Sequence, residues 1–157
     1  MGFLKCVVYM AVLGVVSFLI GRLVPKSWFN CTKFPYKTAD SEQKIFKALR
    51  VKSWQSKVPD MSRIFGKIMP QKKMTAETIS DLPRMLQETC VAELTHSLLS
   101  LLGLAMLWLW PGAGGIAVTA IYILLGNLPF IIIQRYNRPR LQRLYAVQQR
   151  KLERRSV

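Results

Sequence analysis

The residues most able to do chemistry in this 157-residue chain are its single histidine, His96, and Glu93, three positions before it. Positions three apart on a helix share a face. A carboxylate beside an imidazole can orient the ring and raise its basicity, which makes the pair a candidate general base for a hydroxyl. Ser97 and Ser100 extend the polar stripe. Arginine can bind phosphate or stabilise an oxyanion. The chain offers Gln134, Arg135, Asn137, Arg138 and Arg140 in one short stretch, with Asn127 just before it. The competing reading is structural: a Glu–Arg or Glu–His pair that holds two helices together. No metal is expected, because one Glu and one His supply only half of a carboxylate-bridged pair. Cys6, Cys31 and Cys90 are odd in number and lack a Cys-x-x-Cys spacing, so they read as free thiols.

The elements that must position these groups follow from composition. Hydrophobic residues make up 51% of the chain, yet Lys plus Arg number 23 against 8 acids, a net charge of +15. Disorder is excluded by the hydrophobicity. A soluble basic domain would not usually carry a mean hydropathy of +0.21. The two properties fit together if apolar and basic residues are segregated, and they are. Cys6 to Ile20, extended to Val24 between Lys5 and Arg22, is long enough to span a bilayer core of about 30 Å. A signal peptide is the competing reading, but no small-x-small cleavage site follows, so an uncleaved helix is expected. Met1-Gly2 does not predict myristoylation, because Cys6 stands where Ser or Thr is needed.

The second apolar run, Ser97 to Gln134, contains no Asp, Glu, Lys or Arg. As one helix it would be about 57 Å long, roughly twice the hydrocarbon thickness, so it must turn back. Pro111-Gly112-Ala113-Gly114-Gly115 is the turn, with Trp108 and Trp110 at interfacial positions just before it. A hairpin of helices at about 91–110 and 116–134 results, with a re-entrant hairpin as the alternative. Counting outward from the turn puts Glu93 and His96 at the depth of Gln134 and Arg135, with Asn127 deeper. Ionisable groups at a bilayer boundary are costly unless paired or functional.

Basic residues set the orientation. Segment 26–90 holds 13 Lys/Arg, segment 135–157 holds 8, and the turn holds none. The positive-inside rule then predicts both segments in the cytoplasm, an external N-terminus and an internal C-terminus. Asn30-Cys31-Thr32 therefore reads as a chance sequon. Nucleic-acid binding is not expected, because the charges flank lipid spans. An amphipathic helix at 41–50 is capped by Asp40, with Ile45, Phe46 and Leu49 on its apolar face. Trp54, Lys57 and Asp60 mix aromatic, cationic and acidic groups, suited either to lipid headgroups or to a phosphate-bearing substrate. Ser80 can cap a helix that runs through Pro83 into the second span. A basic surface helix is predicted from Arg138 to Arg155, with Leu141, Leu144, Tyr145 and Val147 as a partial apolar face.

Two blocks carry a family resemblance. Ala92-Glu93-Leu94-Thr95-His96 and the stretch Asn127-Leu128-Pro129 through Gln134-Arg135-Tyr136-Asn137-Arg138-Pro139-Arg140-Leu141 resemble the glycosyl-4,4'-diaponeurosporenoate acyltransferases. Trp54, Lys57 and Asp60 also fit a motif of that family. These are small bacterial membrane proteins linked to the last step of staphyloxanthin synthesis. The resemblance implies transfer of a fatty acyl group to a sugar hydroxyl of a glycosylated C30 carotenoid, in the bacterial cell membrane.

The resulting expectation is an all-α membrane protein of about three transmembrane helices, N-out and C-in, with amphipathic interfacial helices. Its parts are a first span at 1–25, a basic segment at 26–90, the hairpin at 91–134 and a basic C-terminal helix at 135–157. Acyl-CoA or acyl-carrier protein is the expected donor, with no bound cofactor, and a glycolipid is the acceptor. Three helices are few to enclose a lipid, which leaves room for an oligomer. In the expected mechanism His96, oriented by Glu93, deprotonates the acceptor hydroxyl. Arg135, Arg138 or Asn137 stabilises the oxyanion or binds donor phosphate. The alternatives are a non-catalytic lipid-binding subunit and a lipid-acting hydrolase using the same pair.

Overall fold

A computed structural model describes residues 1–58 and 81–154. Among them there are helices and turns and no strand. Helix α1 (Gly2–Leu23) is apolar all round, and its final turn is capped by Lys26 Nζ, which donates to the Gly21 carbonyl at 2.5 Å. A cation suits the negative end of a helix. Helix α2 (Asp40–Ala48) follows a loop at 24–39. Ala39, not Asp40, is its N-cap, and Asp40 makes no capping bond. Phe46 is buried, whereas Ile45 and Leu49 are exposed. Arg50, in the left-handed region with φ 51°, separates α2 from a turn at Val51–Trp54.

Helix α3 (Leu82–Gly103), prolonged by the turn Met106–Leu109, and the pair α4 (Ala113–Ile121) and α5 (Leu128–Glu153) form the hairpin. Together with α1 they make three helices long and apolar enough to cross a membrane. The first arm begins at Leu82, with Pro83 in its first turn, and runs without a break into the span, as the sequence predicts for this stretch. Ser80, the expected cap, lies outside the described residues. The second arm begins at Ala113 rather than 116, because only Gly112, at φ 98°, is needed to reverse the chain. Gly115 is required for a different reason: a Cβ there would collide with the Trp110 carbonyl.

A single π-helical turn, Tyr122–Asn127, joins α4 to α5. Such turns are frequent at functional sites. Helix α5 then continues through Pro139 to Glu153, so there is no break at 134/135 and no separate C-terminal helix. Leu141 and Tyr145 pack against the interior cluster of Phe29, Cys31, Leu86, Cys90 and Val91. Leu144 and Val147 remain exposed. The first span runs antiparallel to α3: Phe3 meets Trp110 edge-on at 6.1 Å, and Tyr9 donates to the Leu102 carbonyl at 3.0 Å.

Candidate functional site

The hairpin register brings Glu93 of α3 against Arg135 and Arg138 of α5. Arg135 Nη1 lies 2.5 Å from Glu93 Oε1, and Arg138 Nη2 lies 2.5 Å from Glu93 Oε2. Positions 135 and 138 are one turn apart, so both guanidiniums reach the same carboxylate. A buried charge must be paired and hydrogen-bonded. Arg138, at 0% exposure, meets that requirement with the Thr89 hydroxyl, the Thr89 carbonyl and the Tyr36 carbonyl. Its guanidinium also lies 5.7 Å from the centre of the Tyr36 ring. Burial pushes the Tyr36 phenol above its ordinary pKa.

Arg135 is saturated. Its Nε and Nη2 grip Glu42 of α2 in a fork at 3.0 and 2.8 Å. Nη1 also donates to the Pro35 carbonyl and Nη2 to the Lys37 carbonyl. A guanidinium has five N–H donors, and all five are used. All five donors of Arg135 and four of the five of Arg138 are therefore engaged within the protein. They form a clamp that ties α3, α5, α2 and the 24–39 loop together.

The Glu93–His96 dyad is also not formed. Both oxygens of Glu93 are taken by guanidiniums, whose charge outcompetes a neutral imidazole. His96 Nδ1 instead meets Asn127 Oδ1 at 2.9 Å. Its ring stacks on Phe130 with centroids 4.6 Å apart and planes 6° apart. Asn127, 1% exposed, is itself fixed: its Nδ2 donates to the Tyr122 carbonyl at 2.9 Å, across the π-turn. That carbonyl can only accept, so the amide nitrogen must face it and Oδ1 must face the histidine. Nδ1 of His96 thereby carries a proton, and in the neutral ring Nε2 holds the lone pair.

The other residues divide. Asn137 Nδ2 donates to Gln55 Oε1 at 3.0 Å, docking the turn at 51–57 onto α5. Trp54 uses its indole N–H on the Leu49 carbonyl at 3.0 Å. Lys57 and Arg140 are exposed and Gln134 is half-buried. Asp60 lies outside the described residues. Sequence reasoning missed Glu42, Thr89 and the carbonyls of Pro35, Tyr36 and Lys37. One signal was available: two arginines at one depth with a single carboxylate leave a charge to be met from elsewhere. Among the described residues no group of His, Cys, Asp and Glu could hold a metal ion.

The fold and this clamp define a small α-helical membrane protein with a histidine held at the level of a buried ion-pair cluster. Residues 25–147 match the family described as glycosyl-4,4'-diaponeurosporenoate acyltransferase, and the chain belongs to that family of acyltransferases. Proteins of that name from Staphylococcus aureus strains MRSA252 and Newman are each 28% identical to it over 152 residues, covering 95% of this chain and 91% of theirs. No solved structure matches.

Proposed function

We propose that this membrane acyltransferase moves a fatty acyl group from a cytoplasmic thioester, acyl-CoA or acyl-carrier protein, to a hydroxyl of a glycolipid such as a glycosylated carotenoid. The relatives' name supports the acyl transfer and the acceptor class. The observation that carries the catalytic reading is the fixed ring of His96, with Nδ1 engaged by Asn127 and Nε2 left as the base. His96 Nε2 takes the proton of the acceptor hydroxyl, the oxygen attacks the thioester carbonyl, and the thiol leaves. Asn127 takes the orienting part first assigned to Glu93. Glu93, Arg135 and Arg138 act by holding α3 and α5 in register. The basic segments face the cytoplasm, where a thioester donor is found.

The test is mass spectrometry of membrane lipids from cells supplied with the glycolipid acceptor. Cells with the wild-type protein gain one acyl chain on the glycolipid. His96→Ala loses at least about 100-fold of that product, the usual scale for a positioned base, while its melting temperature in detergent stays near wild type. Full product formation by His96→Ala refutes the mechanism. Loss of a lipid headgroup instead of acyl gain would make the protein a hydrolase.

A further inference from the structure

The clamp has a second pair of groups beside it that the reaction does not use. Cys31 of the 24–39 loop and Cys90 of α3 are both buried, and their sulfurs lie 2.7 Å apart although 59 positions separate them in sequence. Cys31 Sγ also lies 3.0 Å from the Leu86 carbonyl. Cys90 follows Thr89, which binds Arg138, and precedes Glu93 by three positions. The loop that carries Cys31 supplies the carbonyls of Pro35, Tyr36 and Lys37 to Arg135 and Arg138. Cys31, Lys37, Gln87 and Gln142 line a cavity of about 640 Å³ that Cys90 does not line.

We infer that Cys31 and Cys90 are a reversible disulfide site that fastens the 24–39 loop to α3 beside the arginine clamp, closed by a small-molecule disulfide that enters the cavity. The Cys31 thiolate attacks one sulfur of the oxidant, whose bond breaks; the displaced thiolate takes the Cys31 proton. Cys90 sulfur then attacks Cys31 Sγ in the mixed disulfide, and its proton goes to the second departing thiolate. Two chain thiols lose two electrons, and one oxidant disulfide becomes two thiols. The order follows from access, since only Cys31 lines the cavity. The Cys90 thiol and the charge of Arg138 hold Cys31 below the ordinary thiol range, which favours the attacking thiolate. The closed bond bridges a long segment, so it removes freedom chiefly from the unfolded chain.

The full chain in detergent is incubated with oxidised glutathione, quenched with acid, unfolded, alkylated with N-ethylmaleimide and weighed intact. The chain has three free cysteines, so the reduced control takes three alkyl groups. The oxidised protein is expected to take one, on Cys6, with the 31–90 bond found by peptide mapping. Its melting temperature is expected to rise by several degrees and to fall back on reduction. Cys90→Ser is expected to keep glutathione on Cys31, and Cys31→Ser to take neither adduct nor bond. Three alkylations after oxidation, a bond involving Cys6, or a glutathione adduct that persists on wild-type Cys31 would each overturn the inference. If a serine variant does not fold, the wild-type alkylation count and mapping decide. None of these readouts depends on the acyl transfer reading.

Discussion

Glu93→Gln separates a clamp from a catalytic dyad. The substitution keeps the shape of the side chain and removes its charge. Arg135 retains its fork to Glu42, whose side chain is 29% exposed. Arg138 has no second carboxylate in reach among its bonds and is fully enclosed, with Glu93 itself 9% exposed. It is left as a buried cation facing only neutral oxygens, those of Thr89 and Tyr36 and at most one amide oxygen of Gln at 93. Breaking a buried pair from one side costs about 3–5 kcal/mol. For a chain of this size about 3 kcal/mol lowers the melting temperature by roughly 6–12 °C. Thermal unfolding in detergent, followed by the loss of monodisperse protein, measures it. Adding Arg138→Met to Glu93→Gln removes the orphaned charge and is expected to recover much of the loss. Glu42→Gln, which breaks a more exposed pair, is expected to cost about 1 kcal/mol or less. Folded Glu93→Gln protein is expected to retain acyl transfer within several-fold of wild type. A shift below about 2 °C for Glu93→Gln, or no larger than that of Glu42→Gln, refutes the clamp. Loss of activity as deep as that of His96→Ala in fully folded protein restores the dyad.

Asn127→Ala frees the His96 ring and is expected to lower the catalytic rate about 10- to 100-fold, by the logic of a lost orienting partner. Because His96 is the only histidine, imidazole nitrogen-15 NMR reads its tautomer directly; a wild-type signal with protonated Nε2 would refute the assignment. Gly115→Val is expected to prevent the hairpin turn from closing against the Trp110 carbonyl and to abolish monodisperse protein. Gly14→Val, with open space around its Cβ, is the control expected to behave as wild type. An impermeant maleimide is expected to label Trp108→Cys in intact cells and Arg143→Cys only after permeabilisation; the opposite pattern would reverse the orientation.

The spans were legible because burial in lipid writes itself as uninterrupted apolar sequence, and the depth of the site was legible because a hairpin is symmetric about its turn. Residues 96 and 130 are equally far from residue 113, and their rings do stack. Helix ends were less legible. The sequence predicts a hairpin that ends at 134 and a separate helix from 135, yet α5 runs on through Pro139, with Leu141 and Tyr145 beyond it packed against the interior cluster. The partners of the arginines were hardest to read, because most are backbone carbonyls of the 24–39 loop. A carbonyl is present at every residue and has no sequence signature, so only the path of the loop decides which ones converge.

That path changes what the family blocks mean. The Gln-Arg-Tyr-Asn-Arg-Pro-Arg stretch looks like a substrate-binding string of cations, but its two inner arginines are consumed. With nine guanidinium donor contacts directed at Glu42, Glu93, Thr89 and three loop carbonyls, they have almost nothing left for a ligand. Their work is to set the distance between α3 and α5 at the depth of His96. Asn127 then sets the ring from the other side, through the π-turn. The proposed chemistry at this level then requires only the His96 nitrogen with its lone pair and a hydroxyl brought to it by the membrane. On the proposed reading, the donor's phosphates fall to exposed cations such as Lys37, Lys57 and Arg140, whose side chains the clamp leaves unspent.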